Sequence, residues 1–174
     1  MTASVGQGIG SDIARKEDLR FLAGRGRYTG DLEFPGLAHA VMLRSPHAHA
    51  RLAAIDTSRA RAVPGVLAVL TGADAAADGL HAIPHNQIAP GTQKRSPHYV
   101  LPRDKARFVG EAVAMVVAET AAIARDAAEL IDVQYEVLPA VSVTGRAAAE
   151  KDALLWEEMG RNVYVEVEVG DAAA

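Results

Sequence analysis

Along most of the chain apolar and polar residues change places with a short period, but from Ala112 to Ala118 the polar residues drop out, leaving A-V-A-M-V-V-A. A run of that length and β-branched content predicts a strand covered on both faces. Thr120 ends it, and a threonine oxygen can accept from the first free amides of a following helix. Ile123, Ala127, Leu130 and Ile131 then recur at the spacing of one helical face, with Arg125 and Glu129 four apart on the outward side. Val133, Tyr135 and Val137 alternate as in a second strand. The unit reads strand, helix, strand. A helix of this length suits a crossover between strands of one sheet, so both strands are expected in the same sheet, with a parallel arrangement open.

The flanking pattern is also strand-rich. Leu37 to Leu43 and Ala50 to Ile55 read as strands joined by R-S-P-H-A-H, where Pro46 keeps the link out of a ladder. Asp56 to Val63 predicts one capped helical turn ended by Pro64-Gly65, Val66 to Thr71 a further strand, and G-A-D-A-A-A-D a weak helical turn. Before them, R-K-E-D-L-R-F-L-A predicts a short helix with Leu19 and Leu22 inward, closed by Gly24. Gly24, Gly26 and Gly30 around Tyr28 imply tight backbone geometry about one aromatic anchor. Between Leu80 and Val100 periodicity lapses among Pro84, Pro90, Pro97 and three histidines, the signature of a long functional or disordered loop. Pro139 ends the last central strand, a short helix is expected near Arg146, and Trp156, the only tryptophan, should anchor a peripheral segment. Asn162 to Val169 alternates valines with Tyr164, Glu166 and Glu168, a half-buried strand that runs into Gly170-Asp171 and looks cut rather than ended.

Composition narrows the class. The 174 residues suit one domain with an arm, enough to bury about 70% of the unfolded surface. Lys and Arg total 18 against 22 for Asp and Glu, a formal net charge of -4 without a basic patch, so nothing points to nucleic acid. With no cysteine, disulfides, iron–sulfur ligation and thiolate zinc sites are excluded within the chain. No apolar run approaches about 20 residues and no leader pattern opens the chain, so a cytoplasmic location is expected. Residues 1–14 read as a flexible arm. Gly6, Gly8 and Gly10 there lack the preceding strand that a phosphate-binding turn requires.

No coherent active site emerges. His47 and His49 lack a third metal ligand, which leaves packing or hydrogen bonding as their other reading. His81 and His85 are four apart but separated by Pro84. Ser45 beside His47 is no nucleophile elbow. Asp104 and Glu111 are an acid–base pair or, among Arg103, Lys105 and Arg107, surface ion pairs. Met42 and Met115 fall in strand patterns and are expected in the core.

Six ordered blocks carry a resemblance: R-K-E-D-L-R-F-L-A-G-R-G-R-Y-T-G-D-L from Arg15, R-S-P-H-A-H-A-R-L from Arg44, I-D-T-S-R-A-R-A-V-P-G-V-L-A-V-L-T from Ile55, R-F-V-G-E-A-V-A-M-V-V-A-E from Arg107, V-Q-Y-E-V-L-P-A-V from Val133, and N-V-Y-V-E-V-E-V-G-D from Asn162. Together they resemble the N-terminal part of the large, molybdopterin-binding subunit of the molybdenum hydroxylases, which include xanthine dehydrogenase, aldehyde oxidase and carbon monoxide dehydrogenase. Ala112 stands where that family usually has proline, and Gly30 where it often has aspartate. The resemblance implies an α+β fold, the α/β hammerhead: a mixed β-sheet with a few short helices. It implies an arm over 1–14, the hammerhead over 15–161, and a strand over 162–174 leading into a molybdopterin-binding domain that these residues do not contain. The molybdenum cofactor, with iron–sulfur clusters and FAD on partner subunits, would be carried elsewhere, and no catalytic, cofactor or metal residue is expected in this chain. What remains is a role as scaffold, subunit contact and part of the substrate entrance, with His85, Asn86 and Gln87 in the irregular loop as substrate-channel candidates. The other reading is a stand-alone assembly module that docks on a separately encoded catalytic chain.

Overall fold

The computed structural model describes residues 15–84, 92–93, 96–166 and 170. Two compact units divide the chain, Met1–Leu37 and Ala38–Ala174.

In the first unit a short α-helix, α1 (Asp18–Leu22), stops at Gly24, whose φ of 67° is the left-handed conformation expected there. Leu19 and Leu22 are not inward: they are 80% and 87% exposed. A five-residue helix presents too narrow a face to bury both, and the apolar contact forms instead between Phe21 and Tyr28, whose rings stack with centroids 5.7 Å apart. Gly26 sits under that stack, where a Cβ would come within 2.8 Å of Phe21 Cδ1 and the ring would have to shift.

The second unit holds strands β1 (His39–Arg44), β2 (Ala50–Asp56), β3 (Val66–Thr71), β4 (Thr92–Gln93), β5 (Lys105–Ala106), β6 (Ala112–Ala118), β7 (Asp132–Val137) and β8 (Val165–Glu166). Helices α2 (Ser58–Arg61), α3 (Gly72–Ala77), α4 (Ala121–Glu129) and α5 (Thr144–Ala147) lie between them. One sheet has the order β1-β6-β3, a second β5-β2-β7, and a two-stranded ladder joins β4 to β8; every pairing is antiparallel.

β6 occupies the place its composition predicts, between two strands and beneath α4. Ala114, Val116 and Ala118 are fully buried and form one core with Val69, Ala60 and the α4 residues Ala124, Ala127 and Ala128. So many alanines on both sides let helix and sheet approach closely. Met42 and Met115 pair across β1 and β6 on the alternate face and are half-buried rather than core. Thr120 Oγ1 accepts from Ile123 N at 3.2 Å, the cap the sequence predicts.

The strand-helix-strand unit forms, but its strands part company. β6 already has neighbours on both edges, so no position beside it is left for β7, which pairs with β2 in the second sheet. α4 therefore carries the chain from one sheet to the other.

Candidate functional site

Two of the sequence blocks that carry the resemblance prove to be one structural feature. Ser45 N donates to Glu111 O and Gly110 N to Ser45 O, both at 2.8 Å, while Arg44 Nη1 donates to Gly110 O at 2.7 Å. R-S-P-H-A-H is thereby locked to R-F-V-G-E. The turn reverses at Gly110, with φ at 86°, and the Glu111 carboxylate closes it by accepting from Arg107 N. Burial pushes the Glu111 carboxyl above its usual range, against the opposing pull of the Arg107 amide and guanidinium.

Beside this turn a strap, residues 153–162, is held by two cations. Lys105 is 2% exposed, and its Nζ donates to both carboxylate oxygens of Glu157 at 2.7 Å. The Lys105 hydrogen bond is the main reason the Glu157 carboxyl titrates below its ordinary value. Arg107 donates from Nε to Leu155 O at 3.0 Å and from both terminal nitrogens to the Asp104 carboxylate at 3.2 Å. Its Cζ lies 5.1 Å from the centre of the Trp156 ring. Trp156 also donates from Nε1 to Pro97 O at 3.3 Å and meets the His98 ring edge-on at 4.8 Å. Asn162 secures the strap internally, accepting from Leu155 N and donating to Ala153 O, each at 3.0 Å.

Two cavities flank Arg107 and Phe108. One, of about 180 Å³, lies between Tyr99, Phe108, Glu111 and Trp156. The other, of about 250 Å³, lies between His49, Val109, Val141 and Asn162.

His47 and His49 serve different neighbours. His47 packs edge-on against Tyr135, centroids 4.9 Å apart, while buried His49 contacts Pro139 O through Nδ1 at 2.8 Å. A carbonyl only accepts, so Nδ1 carries the proton; Nε2 is buried and meets no hydrogen-bond partner among the described residues. Ser45 Oγ bonds to the His47 backbone, not to its ring. Asp104 forms the expected ion pair with Arg107, whereas Glu111 locks a turn. His85, Asn86 and Gln87 lie outside the described residues. The ends of their loop are fixed: Ile83 N donates to His98 O at 2.7 Å and Arg103 Nη2 to Leu80 O at 2.9 Å. The buried Lys105 escaped sequence reasoning, since R-D-K-A-R looks like a solvated charge run.

No cluster of three or more His, Asp or Glu among the described residues could hold a metal ion, and the chain has no cysteine. No described helix is long and apolar enough to cross a membrane.

The family described as "Aldehyde oxidase and xanthine dehydrogenase, a/b hammerhead domain" matches residues 23–139. The chain belongs to that hammerhead family. The chain is 44% identical over 152 residues to the carbon monoxide dehydrogenase large chain of Afipia carboxidovorans, covering 87% of this chain and 18% of that one. It is 42% identical over 135 residues to the nicotine 6-hydroxylase large subunit of Paenarthrobacter nicotinovorans, covering 76% and 16%. Among solved structures, quinoline 2-oxidoreductase from Pseudomonas putida 86 superposes with a TM-score of 0.76 at 45% identity, over 88% of this chain and 19% of that one. The chain thus spans less than a fifth of the length of these relatives. The α+β hammerhead fold expected from the sequence is the fold observed.

Proposed function

We propose that the hammerhead serves a molybdenum-dependent oxidoreductase as scaffold, subunit contact and part of the substrate entrance. The parent reaction hydroxylates an aldehyde, a nitrogen heterocycle or carbon monoxide with oxygen from water. Molybdenum–molybdopterin sits on a catalytic domain outside this chain, and iron–sulfur clusters and FAD sit on a small and a medium partner subunit in the cytoplasm. One observation carries the reading: 44% identity to a carbon monoxide dehydrogenase large chain across 87% of these residues. We assign the hammerhead to 15–161, an arm to 1–14 and the strand leading onward to 162–174.

The complex purified from its native source through a tag on this chain should carry molybdenum, iron and flavin in fixed ratio. A complex devoid of all three would overturn the reading. For the entrance role, the triple substitution H85A/N86A/Q87A in the complete enzyme should change the ratio of kcat/KM between a heterocycle and an aldehyde. Equal losses on both substrates would remove these residues from the channel.

A further inference from the structure

We propose that Trp156 is a positioning residue for substrate preference: it sets the closing end of the irregular loop, residues 96–99, and through that end the stretch carrying His85, Asn86 and Gln87. The inference rests on the entrance role proposed above for that loop. Trp156 acts through the loop and not by contact with substrate.

The anchors of the closing end converge on one indole. Ser96 is 1% exposed, and its Oγ lies 3.2 Å from His98 Nε2. Pro97 O accepts from Trp156 Nε1 at 3.3 Å, and the His98 ring meets the indole edge-on with centroids 4.8 Å apart. His98 O in turn accepts from Ile83 N at 2.7 Å, so the bond across the neck of the loop sits on a residue that the indole holds. An indole N–H can only donate, and a hydrogen bond weakens steeply away from its preferred geometry. The Pro97 carbonyl is therefore fixed in direction as well as in distance.

Trp156 is itself aimed. The residues on either side of it are tied to cations in or next to β5: Arg107 Nε donates to Leu155 O at 3.0 Å, and Lys105 Nζ to the Glu157 carboxylate at 2.7 Å. Farther along the chain β8 pairs with β4 inside the loop, Val165 opposite Gln93 and Glu166 opposite Thr92. One stretch, 153–166, thus holds the loop at two places. It also enters the strand proposed to lead into the catalytic domain, which gives the loop and that domain a common support. A misplacement of about 1 Å is enough to alter rates. It alters them unequally for substrates of different shape, whereas lost stability lowers every rate alike.

The test uses the complete enzyme with W156F, which keeps a ring against His98 but removes the N–H. The ratio of kcat/KM between a heterocycle and an aldehyde should shift about fivefold, the worth of one hydrogen bond. Trypsin should cut after Arg95, whose peptide bond leads into buried Ser96, about fivefold faster, because cleavage there follows the population of the opened end. T120A, which removes the α4 cap away from the loop, should change neither. H98A removes the edge contact from the loop side and should shift the ratio in the same direction, so a W156F chain that fails to fold does not shelter the proposal. An unchanged cleavage rate after Arg95, or faster cleavage with equal losses on both substrates, would overturn it. The entrance reading is judged separately. A ratio moved by H85A/N86A/Q87A but not by W156F sinks only the role of Trp156, whereas a ratio moved by neither removes both.

Discussion

Glu157 and Lys105 form a pair whose two halves should not be equally dispensable. Lys105 is 2% exposed, while the Glu157 side chain is 65% exposed on the strap. At 2.7 Å the attraction is about 1.5 kcal/mol at the dielectric constant of bulk water and about 6 kcal/mol at an effective value of 20. The exposed partner pulls the figure toward the lower end, and about 2–3 kcal/mol is a reasonable middle. In E157Q the buried ammonium keeps its desolvation cost and loses its counter-charge, so the variant should be destabilised by about that amount. In K105M the charge is gone, an unbranched apolar chain fills the space, and exposed Glu157 is rehydrated. The loss should be below about 1 kcal/mol. The double variant K105M/E157Q should match K105M to within about 0.5 kcal/mol, since Glu157 has nothing left to neutralise. Urea denaturation followed by Trp156 fluorescence reads the unit that contains the pair. K105M costing more than E157Q, or a double variant equal to the sum of the singles, would refute the reasoning. The pH dependence adds a check. Because the hydrogen bond from Lys105 holds the Glu157 carboxyl below its ordinary 4.5, the pair contributes stability above that value. That contribution is lost as pH falls through the lowered folded value, and K105M should lack this acid loss.

Gly72 is buried where α3 opens, and a Cβ there would lie 2.1 Å from Pro102 O, a backbone atom that cannot swing away; G72A should cost about 3 kcal/mol or more in urea denaturation. T120A removes the α4 cap and should cost about 1 kcal/mol by the same measurement, with T120S restoring most of it. Glu111 has the opposite sign to Glu157: burial raises its folded pKa, so its contribution is present below 4.5 and lost as pH rises through the raised value. E111Q should therefore gain stability relative to the unsubstituted chain between pH 4 and pH 7, read as the difference in urea midpoints at the two pH values.

Local periodicity carried the strands and the helix because it reports which face of an element is buried. Val66–Thr71 and Ala112–Ala118 form as predicted, and the Thr120 cap and the α4 face with them. It carried no information on partners. β7 was expected in the same sheet as β6 because their linker has crossover length, but length cannot show that β1 and β3 flank β6 while β7 pairs with β2 in another sheet. Lys105 was illegible for a related reason. Its neighbours in sequence are charged, and the carboxylate that makes its burial tolerable is 52 residues away. His49 was legible only halfway: hydrogen bonding rather than metal binding was one of its two readings, but its partner, the Pro139 carbonyl, is distant in sequence. The resemblance succeeded where periodicity failed because matched blocks encode tertiary contacts: R-S-P-H-A-H and R-F-V-G-E are similar to the family's blocks together, and together they interlock.

That interlock also divides the lining of the Trp156 cavity between two separate supports. Phe108 and Glu111 stand on a turn held by the Ser45 and Arg44 bonds and by the Glu111 carboxylate, whereas Leu155 and Trp156 belong to the strap. The strap is tied to the rest by Lys105 to Glu157, Arg107 to Leu155, and Trp156 to Pro97. Cutting the first tie with E157Q should loosen one wall while leaving the other in place. The indole N–H resonance of Trp156 should then broaden in E157Q even though Glu157 does not line the cavity. G72A acts against Pro102, whose ring borders the same space, so it should disturb the opposite side. Comparing the two variants by the Trp156 indole N–H resonance separates loss of the strap from loss of the frame: a wall that moves broadens it, while a frame that shifts displaces it and leaves it sharp.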